Sequence, residues 1–215
     1  MESILTQSHS KKIRAVILDY GLVLCQAPAH SRVDWIASQF GLSREEFWRL
    51  FEKIRPDYDR GALSAEQYWV MFAKEAGVDP ATIDIDNLRK WDIEMWSEMN
   101  LSMLECVRNV QAAGYRTAIL SNMHAEFAAH LRRTATWLAG FDCLIFSSEV
   151  GMVKPDLAIY RYCVQQLGVP AEEAIFIDDR DVNVRAASAA GLQAVLFRSA
   201  AELQSELCAF GFPAL

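Results

Sequence analysis

No stretch of the 215-residue chain approaches the ~20 consecutive apolar residues that a membrane-spanning helix needs. The opening segment, MESILTQSHSKK, lacks a basic stretch followed by an apolar run and a small-residue cleavage site, so it reads as a frayed leader and not as a secretory signal. An excess of positive charge is missing too: 21 Lys+Arg against 28 Asp+Glu leave a net charge of −7, which argues against a generic polyanion binder. Any anionic ligand would need local cations or a metal ion. Cysteine is sparse, and Cys25, Cys106, Cys143, Cys163 and Cys208 show no C-x-x-C spacing. Most of them lie in apolar segments, where a reduced thiol behaves as a small hydrophobe. These absences lead us to expect a soluble, cytoplasmic protein with no membrane and no nucleic-acid partner. Repeats and low-complexity tracts are also absent, and 52% hydrophobic with 23% charged residues is the composition of a globular chain, not a disordered one.

Five short runs rich in β-branched and aliphatic residues are present: Arg14 to Asp19, Tyr115 to Ser121, Asp142 to Ser147, Ala174 to Asp179 and Leu192 to Phe197. Each has the length and composition of a strand buried on both faces. Between them lie helical patterns, Ser102 to Ala113, His124 to Ala139, Asp156 to Leu167 and Asp181 to Ala190, each followed by a glycine suited to the left-handed stop of a helix. Strand and helix alternate at spacings suited to right-handed crossovers. The expected fold class is therefore α/β, a three-layer Rossmann-like core around a mostly parallel sheet.

Residues 26–100 break this rhythm. They hold 11 of the 23 aromatic residues, among them Trp35, Trp48, Trp69, Trp91 and Trp96, and two capping-box patterns beginning at Ser43 and Ser64. A structureless connection of that length is implausible inside a compact domain. The chain also exceeds one average domain of ~150 residues without reaching two. Both facts are met by a small α-helical cap, residues 26–100, inserted after the first strand into a core made of residues 13–25 and 101–215.

The strand ends carry the chemistry: Asp19 after the first, Ser121 and Asn122 after the second, Lys154 in the loop after the third, Asp178 and Asp179 after the fourth. A lone strand-terminal aspartate is usually a turn former or helix cap. Four such positions converging on one sheet edge point to phosphoryl transfer instead. Paired carboxylates suit Mg²⁺, a hard cation that prefers oxygen. Lys154 adds an ammonium, while the Ser121 hydroxyl and the Asn122 amide or nearby backbone N–H groups can donate to phosphate oxygens. One carboxylate is then free to attack phosphorus.

The segments ILDYGLVL, LSNM, VKPDLAIY and FIDDRDVNVRAASAAG resemble, in order and spacing, the four motifs of the haloacid dehalogenase-like (HAD) hydrolase superfamily, over Arg14 to Phe197. Within it the chain is similar to capped bacterial phosphatases of the alpha-D-glucose-1-phosphate phosphatase type, whose first motif reads D-x-G. The resemblance implies a magnesium-dependent phosphomonoester hydrolase, monomeric or homodimeric, acting on a small phosphorylated metabolite such as a sugar phosphate through an aspartyl-phosphate intermediate. Asp19 matches the nucleophile and a metal ligand, and the Gly21 carbonyl matches a magnesium contact. Ser121, Asn122 and Lys154 match the phosphate-binding positions, and Asp179 the fourth-motif metal ligand. Asp178 stands beside it as a supporting or alternative ligand, with Asn183 a helical turn further on. Most family phosphatases place a second aspartate, the proton donor, where Gly21 stands here. Its loss implies a preference for activated phosphates, such as anomeric sugar phosphates or acyl phosphates, unless His124, His30 or Asp34 supplies the proton.

Two other readings fit these residues less well. A 2-haloacid dehalogenase needs no metal, so the Asp178–Asp179 pair argues against it, and a catalytically degenerate binding protein would not be expected to keep Asp19, Lys154 and Asp179 together. His124 is otherwise a polar helix-start residue, Cys25 a packing residue, and the insert tryptophans a small core with one or two facing the site.

Overall fold

The computed structural model describes residues 12–210 and 212; the leader before Lys12 lies outside them. Strand β1 (Ala15–Leu18) occupies the middle of a five-stranded sheet with β2 (Arg116–Ser121), β3 (Cys143–Phe146), β4 (Ala174–Asp178) and β5 (Gln193–Leu196), in the order β3-β2-β1-β4-β5. All four pairings are parallel. Each strand is a residue or two shorter than its apolar run.

Alternation within the strands builds two cores. Val16 and Leu18 of β1, with Ile175 and Ile177 of β4, face one side, where they meet Met103, Val107 and Val110 of α5 (Leu101–Ala112), Phe127 of α6 (Ala125–Thr134) and Leu203 and Leu207 of α10 (Ala200–Ala209). Ala15, Ile17 and Phe176 face the other side, against Ile159, Tyr160 and Cys163 of α8 (Leu157–Leu167) and Ala187 of α9 (Asp181–Ala189). A short α7 (Ser147–Val150) follows β3 directly. The helix expected to run from His124 to Ala139 is broken. Ala135 leaves the helical region at φ −92°, ψ 85°, and a 3₁₀ segment, Thr136–Gly140, turns Trp137 and Leu138 back onto the core. Burying Leu138 and part of Trp137 outweighs one more turn of helix.

Four helices lie between β1 and α5: α1 (His30–Ser38), α2 (Arg44–Asp59), α3 (Ala65–Glu75) and α4 (Ile85–Met95). Both capping boxes form, Ser43 with Glu46 and Ser64 with Gln67. Phe47, Phe51, Ile54 and Tyr58 recur at helical spacing along α2 and pack with Trp69 and Phe72 in a separate buried cluster. Where this segment leaves and rejoins the sheet the chain pairs with itself. Cys25 and Met99 form an antiparallel bridge, flanked by Gln26 N–H to Glu98 O (2.7 Å) and Asn100 N–H to Leu24 O (2.9 Å). No helix among the described residues is long and apolar enough to cross a membrane.

Candidate active site

Because the chain winds from β1 outward through β2 and β3 and then returns to β4 on the other side of β1, the strand order reverses at the β1/β4 pair. A crevice opens at the carboxyl edge of such a switch point. Asp19 leaves β1 there, its N–H still bonded to Ile177 O of β4 (2.9 Å). The Asp19 Oδ1 accepts from the Tyr20 N–H (2.7 Å) and lies 2.8 Å from Lys154 Nζ. The same ammonium donates to Asp178 Oδ2 (2.6 Å), so it bridges the ends of β1 and β4.

Asp178 is held by two further donors. Its oxygens accept from the Arg180 N–H (2.9 Å) and from the Asn183 amide (2.9 and 3.1 Å). Burial opposes its ionisation, yet Lys154 and these donors keep the carboxyl below its usual range. Asp19 is different: burial pushes it up to about 7, Asp178 and Asp179 add to the effect, and Lys154 works against it. Asp179 is also raised, by its burial and by Asp178. Three carboxylates thus surround one ammonium in a poorly solvated place. Asp19, Asp178 and Asp179 each offer an oxygen, all within 4.8 Å of one another. A set of hard oxygen donors with uncompensated negative charge fits a small divalent cation such as Mg²⁺. The structure brings Asp178 into this donor set in addition to its contact with Lys154.

The remaining strand-end residues take distinct places. Ser121, the last residue of β2, is buried, lines the cavity and makes no side-chain hydrogen bond among the described residues, which leaves its hydroxyl available. Asn122 spends its amide on the backbone of Lys154: Nδ2 donates to Lys154 O (2.9 Å) and Oδ1 accepts from Lys154 N–H (2.8 Å). Of the two donors expected at this position, the side-chain amide is engaged in positioning the lysine, which leaves donation to nearby backbone N–H groups. Gly21 borders the cavity, and a Cβ placed on it would meet nothing within 4 Å. Leu22 beside it sits at φ +56°, an uncommon conformation for a branched residue in a loop that carries a candidate nucleophile.

A cavity of about 620 Å³ joins these groups to the helical segment. Its walls include Leu22, Val33, Trp48, Phe51, Trp96 and Phe127, so two of the tryptophans face the site. Trp69 is buried, and Trp35 stacks on Trp91 at 4.4 Å. Cys25 is fully buried, its thiol pushed up to about 12 by burial, and it packs as expected.

Of the alternative proton donors, two are misplaced. His124 is completely buried away from the cavity, stacked on Tyr58 at 4.4 Å, and burial drives its pKa down to about 3 although Asp92 pulls the other way. Asp34 is exposed and bound by two Arg44 nitrogens (2.8 and 2.7 Å). His30 borders the cavity from an exposed position. Sequence reasoning missed Arg55 and Asp59 of α2, both buried and both lining the cavity. Their i,i+4 spacing has the pattern of an ordinary solvated helix pair, so nothing local marked them.

A family model described as a haloacid dehalogenase-like hydrolase matches residues 9–191. Drimenol cyclase drtB of Aspergillus calidoustus is 29% identical over 207 residues, covering 94% of this chain and 37% of that protein. Sesquiterpene phosphatase astK of Aspergillus oryzae is 33% identical over 90 residues, 42% of this chain and 46% of that one. The chain therefore spans well under two thirds of the length of either relative. Among solved structures, a HAD family enzyme from Bacteroides thetaiotaomicron aligns with a TM-score of 0.74 at 19% identity, over 92% of this chain and 99% of that one. The same enzyme has been solved in complex with magnesium and inorganic phosphate. L-2-haloacid dehalogenase from Xanthobacter autotrophicus shares the fold, with a TM-score of 0.66 at 18% identity, over 92% of this chain and 83% of that one. With its family model matched over most of its length, and with a parallel sheet whose strand ends gather Asp19, Ser121, Lys154, Asp178 and Asp179, the chain belongs to the haloacid dehalogenase-like hydrolases.

Proposed function

We propose that the protein is a magnesium-dependent phosphomonoester hydrolase acting on a small phosphorylated metabolite, with Asp19 as nucleophile. The observation that carries this reading is the placement of one buried ammonium, Lys154, between Asp19 and a second carboxylate at the floor of the cavity. A dianionic phosphate entering that cavity is met by the Lys154 charge and the free Ser121 hydroxyl. Asp19 attacks phosphorus, the leaving oxygen departs toward the helical segment, and water then hydrolyses the aspartyl phosphate. Asn122 fixes the Lys154 backbone throughout, and Asn183 with Arg180 N–H keeps Asp178 ionised opposite Lys154. Asp19, Asp178, Asp179 and the Gly21 carbonyl are the groups that would hold Mg²⁺, which supplies charge neutralisation of the phosphate when bound.

Residues 26–100 act in this reading as a cap over the core formed by 13–25 and 101–215. The aromatic walls favour an apolar leaving group over the sugar phosphate that the narrower resemblance implied. The likeness to a sesquiterpene phosphatase supports the same preference. The test is hydrolysis of p-nitrophenyl phosphate with Mg²⁺ and with a chelator. Turnover that disappears on chelation, and falls at least ~10³-fold in Asp19→Asn, supports the phosphatase. Metal-independent release of halide from 2-chloropropionate, with no phosphate release, would favour the dehalogenase instead.

A further inference from the structure

Hydrolysis of an unactivated ester requires a proton for the leaving oxygen, and the position after Tyr20 that would carry the donor is Gly21. We propose that Asp59, delivered from the C-terminal end of α2, is the proton donor to the leaving group. This rests on the phosphatase reading and adds to it a residue from the helical segment.

Four observations place it there. Asp59 lines the same cavity as Asp19, Ser121 and Lys154. Its backbone is tied to the carboxyl edge of the sheet: Ser147 Oγ, at the end of β3, donates to Asp59 O (2.5 Å) and accepts from Met123 N–H (2.8 Å), two residues past Ser121. Its carboxyl is half engaged, since Oδ1 accepts from Arg55 Nε (2.8 Å) while Oδ2 receives no hydrogen bond among the described residues. The charge count is uneven as well. Arg55 also donates to both oxygens of the fully buried Asp92 (3.1 and 2.9 Å), so one guanidinium serves two carboxylates.

A buried site does not hold an uncompensated second charge cheaply, and the proton that removes it belongs on the carboxyl open to the cavity. The groups facing Asp59 are Arg55 on its own helix, Tyr68 of α3, Asp92 of α4 and Lys154 of the core. Burial, with Asp92, keeps its carboxyl above the usual range despite Arg55. His30 and Glu52 also border the cavity, but both are exposed, and solvent leaves them without a fixed aim.

The step balances. An Asp19 oxygen forms a bond to phosphorus as the bond from phosphorus to the ester oxygen breaks, and the departing electron pair takes the proton from Asp59 Oδ2. The resulting carboxylate then accepts a proton from the water that attacks the aspartyl phosphate, which restores Asp59 and releases phosphate.

The experiment measures kcat/KM for a series running from p-nitrophenyl and phenyl phosphate to simple alkyl phosphates. The wild-type chain should show a shallow dependence on leaving-group basicity. Asp59→Asn, which is nearly isosteric, should lower the alkyl-to-aryl ratio by ~10², and Asp59→Glu should largely preserve it. Gly21→Asp provides a reading independent of any change in α2, because the site has open space for its side chain. In the Asp59→Asn background it should restore the ratio. A wild-type dependence as steep as that of Asp59→Asn, an equal loss on every ester in Asp59→Asn, or a ~10² gain from Gly21→Asp alone would each overturn the proposal. Absence of any turnover of p-nitrophenyl phosphate by the wild type would instead overturn the phosphatase reading beneath it.

Discussion

At the scale of single residues, Lys154 and His124 illustrate opposite uses of burial. Lys154 stays charged because Asp19 and Asp178 lie 2.8 and 2.6 Å away. Lys154→Met should therefore leave two facing carboxylates without their cation and destabilise the metal-free protein by ~3–5 kcal/mol. Urea denaturation in the presence of chelator measures this, and a loss below ~1 kcal/mol would show that the carboxylates are neutralised some other way. His124 is buried neutral, with a pKa of about 3 in the folded state against ~6.5 unfolded. The unfolded chain binds the proton first on acidification. Stability is thus lost as pH falls from ~6.5 toward ~3, by ~2 kcal/mol at pH 5 from this residue alone. Replacing it in His124→Phe should reduce the fall in denaturation midpoint between pH 7.5 and pH 5. Parallel falls in the two proteins would contradict the assignment.

At the scale of elements, the helix α2 and the turn after it connect the inserted segment to the sheet edge. Gly61, at φ +80°, lies so close to α7 that an added Cβ would stand 2.8 Å from Ser148 O. Gly61→Ala should cost ~1–3 kcal/mol through backbone strain and forced separation, and by moving Asp59 it should lower kcat more than it raises KM. Ser64→Ala removes one hydrogen bond of a capping box remote from the cavity and should cost ~1 kcal/mol with kcat unchanged; steady-state kinetics and melting of the two variants separate these effects. The elements were largely legible in the sequence for a physical reason. A strand buried on both faces must be an unbroken apolar run, and the polar residue that ends it is also the residue that reaches the crevice. Asp19, Ser121 and Asp178 could be found that way. Arg55 and Asp59 could not, because their meaning comes from a contact with Ser147, 88 residues on from Asp59, that no local pattern encodes. The break at Ala135 was hidden likewise, since the helical pattern continued while the packing of Trp137 and Leu138 decided otherwise.

At the scale of the whole molecule, an acidic chain becomes a candidate phosphate binder by concentrating its few buried cations. Lys154 stands at the floor of the cavity and Arg55 in its wall, each shared between two carboxylates. In the proposed reaction the walls above the floor, from Trp48 to Phe127, would shape what leaves, and the floor would decide what is attacked. The central claim is that Asp19 becomes covalently phosphorylated. Rapid acid quench during turnover of p-nitrophenyl phosphate, followed by mass analysis of the peptide containing Asp19, tests it most directly. The account predicts one phosphoryl group on that aspartate in the wild type, lost on chelation of Mg²⁺ and absent in Asp19→Asn. Turnover with an unmodified Asp19 at every quench time, together with phosphoryl transfer retained by Asp19→Asn, would contradict it.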